Sequence, residues 1–462
     1  MASTSPRPNF LIILADDMGY GDMGFTGSEF LLTPHLDQLA RAGVFCEQGY
    51  VASPVCSPSR AGLLTGRDPR RFGYEGNLNR DDQYYAGRPE LLGLAPGEHT
   101  LGDHLKAAGY ATALIGKWHQ GIGPGFHPNE RGFDYFCGML GGGHSYFPET
   151  MNHQIERNGT PVASFSSSYL TDFFTDEGLA WMQRQEATDQ PWFAFLSYNA
   201  PHTPMHATTE DLTRFGHIKD ERRRTYAAMM WALDRGVGRI QAWLEQSGAA
   251  QDTLVVFFSD NGGPPENGSW NGPLSGGKGA LKEGGIRVPM IWSWLGTLPA
   301  NRRYAQPVSA LDLLPSFMAA AEADPLPLRD PMTHEDPRNF IRGVERFAAY
   351  DGVNVLPMLS GSVPAQTRTL FWRLQGQAAI RDGAEKLVRL SHRPAEVFRL
   401  DEDIAEQRDL AQANSQRTAE LFRLLAEWES MLPTVPIWDS SPYWQSQSAK
   451  HYDERNPVAE PR

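Results

Sequence analysis

Cysteine is scarce in this chain. The 462 residues hold three, Cys46, Cys56 and Cys137, and none lies in a CxxC spacing, which argues against a zinc site. With Cys56 set apart for the reasons below, Cys46 and Cys137 are expected as buried thiols; a disulfide between them stays open. Long hydrophobic runs are missing too. The longest near the start, Phe10 to Ala15, is too short for a transmembrane helix or for the apolar part of a signal peptide. No membrane association is expected. The chain as written is expected in the cytoplasm, or in the periplasm or outside the cell if a signal was removed. Basic charge is also short. Lys and Arg number 42 against 55 Asp and Glu, the net charge is -13, and the cations form no long run. That argues against nucleic acid as the main partner. An acidic protein that handles an anionic substrate must concentrate positive charge locally, so the few cations inside motifs carry weight. Internal repeats are absent. The Gly-rich stretch Gly138 to Gly143 is no phosphate loop, because no Gly-Lys-Ser/Thr follows it.

What is present is an ordinary soluble balance, 40% hydrophobic and 21% charged, and enough length for one or two domains. Apolar runs alternate with helix patterns through most of the first 320 residues. The runs are Asn9 to Ala15, Val44 to Val51, Tyr110 to Gly116, Trp192 to Tyr198 and Thr253 to Ser259. Near-continuous apolar strands fit burial on both faces of a parallel sheet. Between them, Thr33 caps a helix begun by Pro34 and ended by Gly43, and Thr100 caps one from Leu101 to Ala108. Further helices are predicted over Thr171 to Arg184, Arg222 to Leu244 (with a basic, solvated start) and Ser309 to Ala321. Glu322 to Asn339 reads as a surface excursion, and Asp351 to Gly361 as a short closing helix. Four short strands follow, Thr369 to Arg373, Ala378 to Asp382, Glu385 to Leu390 and Glu396 to Leu400. Thr418 to Leu432 is their helix, and the tail after Pro433 has no clear period. The expected fold is α/β: a large, mostly parallel sheet flanked by helices over 1–362, and a small antiparallel subdomain over 363–462.

The polar residues fall in a pattern. Asp16-Asp17, Lys117 with His119, His202, and Asp260-Asn261 all follow the C-terminal end of a predicted strand. Ligands bind at that edge of open α/β sheets. Asp and Asn oxygens are hard donors that suit Ca²⁺ or Mg²⁺, although Asp16-Asp17 alone fits a solvated turn as well. Arg131 to Phe136 reads as packing. His144, in the polar and aromatic loop after Gly143, is a candidate substrate contact; an ordinary loop is the other reading.

Cys56-Ser57-Pro58-Ser59-Arg60 runs on as Ala61-Gly62-Leu63-Leu64-Thr65-Gly66-Arg67. Pro58 fits a first helical turn and Gly66 a stop. Cys56 thus faces the positive end of a helix dipole, with the Arg60 cation one turn on.

This string resembles the signature of the type I sulfatases, Cys-x-Pro-Ser-Arg with a Thr-Gly-Arg tail. Asp16-Asp17 with its Gly-rich turn, Gly116-Lys117-Trp118-His119, Ala200-Pro201-His202-Thr203-Pro204, and Gly276 to Pro289 resemble the other segments of that family. The resemblance implies an alkaline-phosphatase-like fold and a sulfate ester, on a small molecule or an oligosaccharide, as substrate. It implies that a maturation enzyme converts Cys56 to 3-oxoalanine (formylglycine), whose hydrate is the nucleophile. Asp16, Asp17, Asp260 and Asn261 would then hold Ca²⁺, or Mg²⁺, with residue 56 facing it. Lys117 would bridge nucleophile and sulfate, His119 would bond residue 56, His202 and Lys278 would contact the sulfate, and Arg60 would stabilise charge. Glu283 and Arg287 are expected as a structural pair. A phosphodiesterase or phosphonate monoester hydrolase on the same fold is the second class.

Overall fold

The computed structural model describes residues 7–78, 92–148, 155–163, 165–327, 350–391, 393–432, 452 and 460. Most of the excursion predicted after Glu322, and nearly all of the tail after Pro433, lie outside them. The elements run β1 (Asn9–Ala15), α1 (Pro34–Ala42), β2 (Val44–Tyr50), α2 (Cys56–Thr65), α3 (Leu101–Ala107), β3 (Ala111–Lys117) and β4 (Tyr135–Met139). Then come β5 (Glu156–Arg157), β6 (Thr160–Pro161), α4 (Leu170–Glu186), β7 (Trp192–Ser197), α5 (Thr209–Arg214), α6 (Glu221–Ser247) and β8 (Thr253–Ser259). α7 (Glu283–Ile286), β9 (Arg287–Ser293), β10 (Arg302–Tyr304), β11 (Val308–Ser309), α8 (Leu313–Ala320) and α9 (Leu356–Ser360) complete the large unit. β12 (Thr369–Leu374), β13 (Gln377–Asp382), β14 (Glu385–Leu390), β15 (Glu396–Arg399) and α10 (Ser415–Glu429) form the small one.

The large sheet has the order β10-β2-β9-β8-β1-β7-β3-β4-β5-β6, with β11 beside β2. Its centre, β8-β1-β7-β3-β4, is parallel throughout. β1 shows why its run is apolar at every position. Leu11, Ile13 and Ala15 enter the core beneath α1, α4 and α6, while Phe10, Ile12 and Leu14 enter the core beneath α2, α3 and α8. A strand covered on both faces has no solvent side, so alternation disappears. Each of the Phe, Leu and Ile side chains contributes about 1.5–3 kcal/mol by leaving water, and Ala15 less. Among the described residues, no helix is long and apolar enough to cross a membrane.

The small sheet is antiparallel, in the order β12-β13-β14-β15. Ala378, Ile380, Leu387 and Val397 pack against Leu421, Leu425 and Trp428 of α10. Leu370, Trp372, Ala379, Val388 and Phe398 face the other way, onto Tyr50, Val55, Leu281 and Ile286 of the large unit.

The structure corrects three local expectations. Thr33 precedes α1, but its side chain makes no cap bond; it donates to Asp37 at 3.0 Å. The cap comes from Asp234 of α6, which accepts from the backbone N–H of Leu36 at 2.8 Å and of His35 at 3.2 Å. The basic start of α6 is not simply solvated, because Arg223 is buried and paired with Asp22 at 2.6 Å. Gly138 belongs to β4 rather than to the loop. A Cβ there would lie 1.9 Å from the carbonyl oxygen of Gly116 on β3, so the two strands approach only because the residue is glycine.

Candidate active site

Four adjacent parallel strands deliver the site. β8 ends at Asp260, β1 at Asp16 and Asp17, β7 at the Asn199–His202 turn, and β3 on Lys117 itself. The backbone N–H of Asp16 is tied to Ala200 O, and that of Asp260 to Ala15 O, both at 3.0 Å, so three strand ends are laced together. Helix α2 brings Cys56 as its first residue, and all ten of its residues are buried. Val55 supplies no side-chain cap. Instead Asn77 Oδ1, twenty residues on, accepts the Ser57 N–H at 2.9 Å. Gly66, at φ +62°, ends the helix with its N–H on Gly62 O. Lys278 arrives on the loop between β8 and α7.

The side chains meet. Cys56 Sγ lies 3.2 Å from Lys278 Nζ, 3.5 Å from Asp16 Oδ1 and 3.9 Å from Asp17 Oδ1. Lys117 Nζ is 2.6 Å from Asp16 Oδ2, and Lys278 Nζ is 2.6 Å from Asp17 Oδ1. Arg60 donates its Nε to Asp260 Oδ2 at 2.9 Å and lies 3.5 Å from Asp16 Oδ2. Asn261 donates to Asp17 Oδ1 at 2.7 Å, and His202 Nε2 is 3.7 Å from Asp17 Oδ2. Asp16, Asp17, Cys56 and His202 each offer one atom within 4.8 Å of the others, a grouping that could hold a metal ion. Three carboxylates therefore face three cations in a buried pocket. None is left uncompensated, as burial of charge requires.

Burial sets the protonation states, and neighbours correct it. It pushes the Cys56 thiol well up, with Asp260 acting in the same direction against Lys117 and Lys278, so the unmodified residue is a neutral thiol and a poor nucleophile. It would raise Asp17 also, but Lys278 and His202 outweigh it and hold that carboxyl at about 2. Burial carries His202 down to about 3, Asp17 opposing, and pushes His119 well below its usual value, with Lys117 adding to the shift. Both imidazoles are neutral. A neutral His202 that gives Nδ1–H to Thr203 O at 2.7 Å keeps a lone pair on Nε2.

His144 is buried, with Nδ1 2.7 Å from Ser145 O. Glu283 and Arg287 pair at 3.4 Å.

The sequence model described as Sulfatase matches residues 8–323. The chain belongs to the sulfatase family. It is similar to N-acetylgalactosamine-6-sulfatase of Sus scrofa, at 35% identity over 334 residues, which cover 69% of this chain and 63% of that protein. Steryl-sulfatase of Mus musculus is 33% identical over 405 residues, covering 70% of this chain and 63% of that one. The chain thus spans less than two thirds of the length of these curated relatives. Among solved structures, Ps i-CgsB in complex with k-i-k-neocarrahexaose is 34% identical, with a TM-score of 0.84, and covers 96% of this chain and 98% of that one. The α/β architecture with a separate small antiparallel sheet is that of sulfatases and of the alkaline-phosphatase-like superfamily.

Sequence reasoning missed several residues of this site. Ser197 receives Arg60 Nη1 at 2.6 Å and donates to Lys117 O at 2.6 Å. Tyr146 donates to Asn199 O at 2.6 Å and lies 2.8 Å from His202 O. Ser259 accepts the Met18 N–H and donates to Asn261 O. The available signal was a polar residue at the very end of an apolar strand, which Ser197 and Ser259 both are. The loop after β4 matters as well. A Cβ on Gly142 would lie 2.7 Å from Cε1 and Nε2 of His119. Gly142→Ala should displace that ring and lower kcat about tenfold, since small misplacements are costly. Steady-state kinetics beside a thermal melt would check this: an unchanged kcat would show that the loop yields instead.

Proposed function

We propose that this chain hydrolyses the sulfate ester of a carbohydrate, with residue 56 acting as formylglycine after conversion by a maturation enzyme. The observation that carries the reading is the placement of Cys56. It opens a buried helix at the ligand-binding edge of the sheet, against Asp16, Asp17 and Lys278 at once. The names of the relatives support the substrate class: one is an N-acetylgalactosamine-6-sulfatase, and another holds a neocarrahexaose.

A divalent cation fits the donor set. Asp16, Asp17, Asp260 and Asn261 are hard oxygen donors, as Ca²⁺ and Mg²⁺ prefer. Asn261 Oδ1 is buried and has no hydrogen-bond partner among the described residues. Those four residues would hold the ion, which would supply Lewis-acid polarisation and orient the sulfate group. Formylglycine would supply a hydrated aldehyde, with one hydroxyl to attack and a second to release sulfate. The chain's own groups do the rest. Lys117 and Lys278 present two ammonium ions where charge develops on the sulfate oxygens. Arg60 stays fixed on Asp260 and Ser197. The Nε2 lone pair of neutral His202 can take up the proton that the attacking hydroxyl releases and then pass it to the departing alcohol, and His119 serves residue 56. His144 is assigned to the substrate side of the loop that covers them.

Two measurements test the reading. Conversion of Cys56 lowers the mass of its tryptic fragment by about 18 Da, because sulfur and two hydrogens leave and one oxygen arrives, a step off the usual thiol oxidation ladder. Converted protein should then release sulfate from 4-nitrophenyl sulfate and from sulfated oligosaccharides, and should act more slowly on a nitrophenyl phosphodiester. A thiol that persists beside a competent maturation enzyme, or a preference for the phosphodiester, would overturn it. The cation has its own test. Ca²⁺ added to EDTA-treated protein should raise the thermal midpoint, since a ligand at about 100 times its Kd stabilises by about 2.7 kcal/mol. Asp17→Asn should abolish that rise.

A further inference from the structure

Two non-glycine residues of the site have left-handed backbone, Asp17 at φ +69° and His119 at φ +58°. Such a conformation costs on the order of 1–3 kcal/mol and persists only where the surroundings over-determine it. His119 needs a holder, and the structure supplies one. Its N–H donates to Leu140 O at 3.1 Å. Its carbonyl oxygen accepts twice, from Ser57 Oγ at 2.7 Å and from Gln120 Nε2 at 2.8 Å. The same Gln120 Nε2 reaches Ser57 O at 2.8 Å, so one amide group bridges the two backbones. Ser57 Oγ is also hydrogen-bonded to Tyr74 OH. The serine has a single proton and spends it on His119, so the tyrosine donates to the serine. Ser57, Tyr74 and Gln120 are all buried. The bonds thus run in one direction, Tyr74 to Ser57 to His119.

What this holds matters because of who the neighbours are. Ser57 is the residue after Cys56, in the first turn of α2. The imidazole of His119 has no hydrogen-bond partner at Nδ1 among the described residues. Its place is therefore set by its backbone and by its contact with Gly142, not by a bond at that nitrogen.

We infer that Ser57, Tyr74 and Gln120 are positioning residues, which clamp the left-handed turn of His119 to the first turn of α2 and so fix the imidazole relative to residue 56. The inference rests on the proposed hydrolase reading for its consequence in catalysis, though not for the clamp itself.

Ser57 lies inside the segment that a maturation enzyme would read, so the test uses Gln120→Leu and Tyr74→Phe. The full chain is used, with residue 56 converted to an equal extent by mass spectrometry. With 4-nitrophenyl sulfate, Gln120→Leu should lower kcat about tenfold and leave KM within about twofold. Tyr74→Phe should lower kcat less, in the same direction. In a His119→Ala background, Gln120→Leu should change the residual kcat by less than about twofold, because a residue that acts through His119 has nothing left to act on. In histidine-labelled protein, the His119 ring resonances, assigned by their loss in His119→Ala, should move in both variants. Equal kcat losses with and without His119, or ring resonances that stay in place, would overturn the inference. If Gln120→Leu fails to fold, Tyr74→Phe in the same two backgrounds decides it. If the wild-type chain hydrolyses no sulfate ester, the proposed function falls, and the ring resonances still judge the clamp.

Discussion

Cys56→Ala is expected to reduce sulfate-ester turnover to background while leaving the fold standing. Both halves follow from where the side chain sits. On the proposed reading the sulfur is the atom that maturation replaces, and among the described residues the carboxylates around it, Asp16, Asp17 and Asp260, are already paired with cations. The fold does not depend on it. Cys56 is 1% exposed, so truncation leaves a small hole of one sulfur atom, at the low end of the cost of core deletions. Alanine is the best helix former, and α2 keeps its distant Asn77 cap and its Gly66 stop. No charge is orphaned, because Lys278 keeps Asp17 at 2.6 Å and Asp16 keeps Lys117. Far-ultraviolet circular dichroism and the thermal midpoint should match the parent within a few degrees, while 4-nitrophenyl sulfate stays intact. Turnover near the parental rate would remove residue 56 from the chemistry and the proposed function with it.

The parts of this site that were legible in the sequence are those with a local cause. An apolar run that stops at Asp16-Asp17 or at Asp260-Asn261 announces both the strand and its polar end. Pro58 and Gly66 mark the start and stop of α2 without any knowledge of its neighbours. What could not be read is what comes from far along the chain. Asp234 caps α1 from 198 positions away, and Arg223 reaches Asp22 across 201. Their partners carry no short-range pattern, and a basic run at a helix start looks the same whether it is solvated or buried. Sheet order is equally silent. That β8, β1, β7 and β3 stand side by side, which is why their ends make one site, depends on crossovers that no window of sequence contains. The left-handed backbone at Asp17 and His119 belongs to the same class: Asp and His adopt αL more readily than most residues, but nothing local says which of them do.

Lys386→Met should destabilise the chain more than any other single change considered, by about 3–5 kcal/mol, because it breaks a buried ion cluster on one side only. Lys386 lies on β14 of the small sheet and is fully buried. Its Nζ is 2.8 Å from Glu283 Oε1 and 3.0 Å from Glu406 Oε1. Burial would raise the Glu283 carboxyl, but Lys386 and then Arg287 hold it at about 2; Glu406, where burial prevails and Glu283 adds to it, stays raised. Without the lysine, two buried carboxylates face one another, and one must take a proton or the two units must part. The consequence reaches the active site. Glu283 opens α7, five residues beyond Lys278, and Glu406 accepts its backbone N–H at 2.7 Å. From the small sheet, Gln377 donates to Gly279 O at 3.0 Å, on the loop that carries Lys278. The antiparallel sheet is therefore a brace for the loop that carries Lys278 rather than an appendage. In Lys386→Met the thermal midpoint should fall by roughly 3–5 °C for a chain of 462 residues, and kcat on a sulfate ester should fall with it as the Lys278 loop loosens. Adding Glu406→Gln to that variant removes one of the stranded charges and should recover part of the midpoint. A single variant as stable as the parent would mean that the ion cluster contributes nothing, and that the apolar contacts of Leu370, Trp372, Ala379, Val388 and Phe398 and the other bonds between the units suffice.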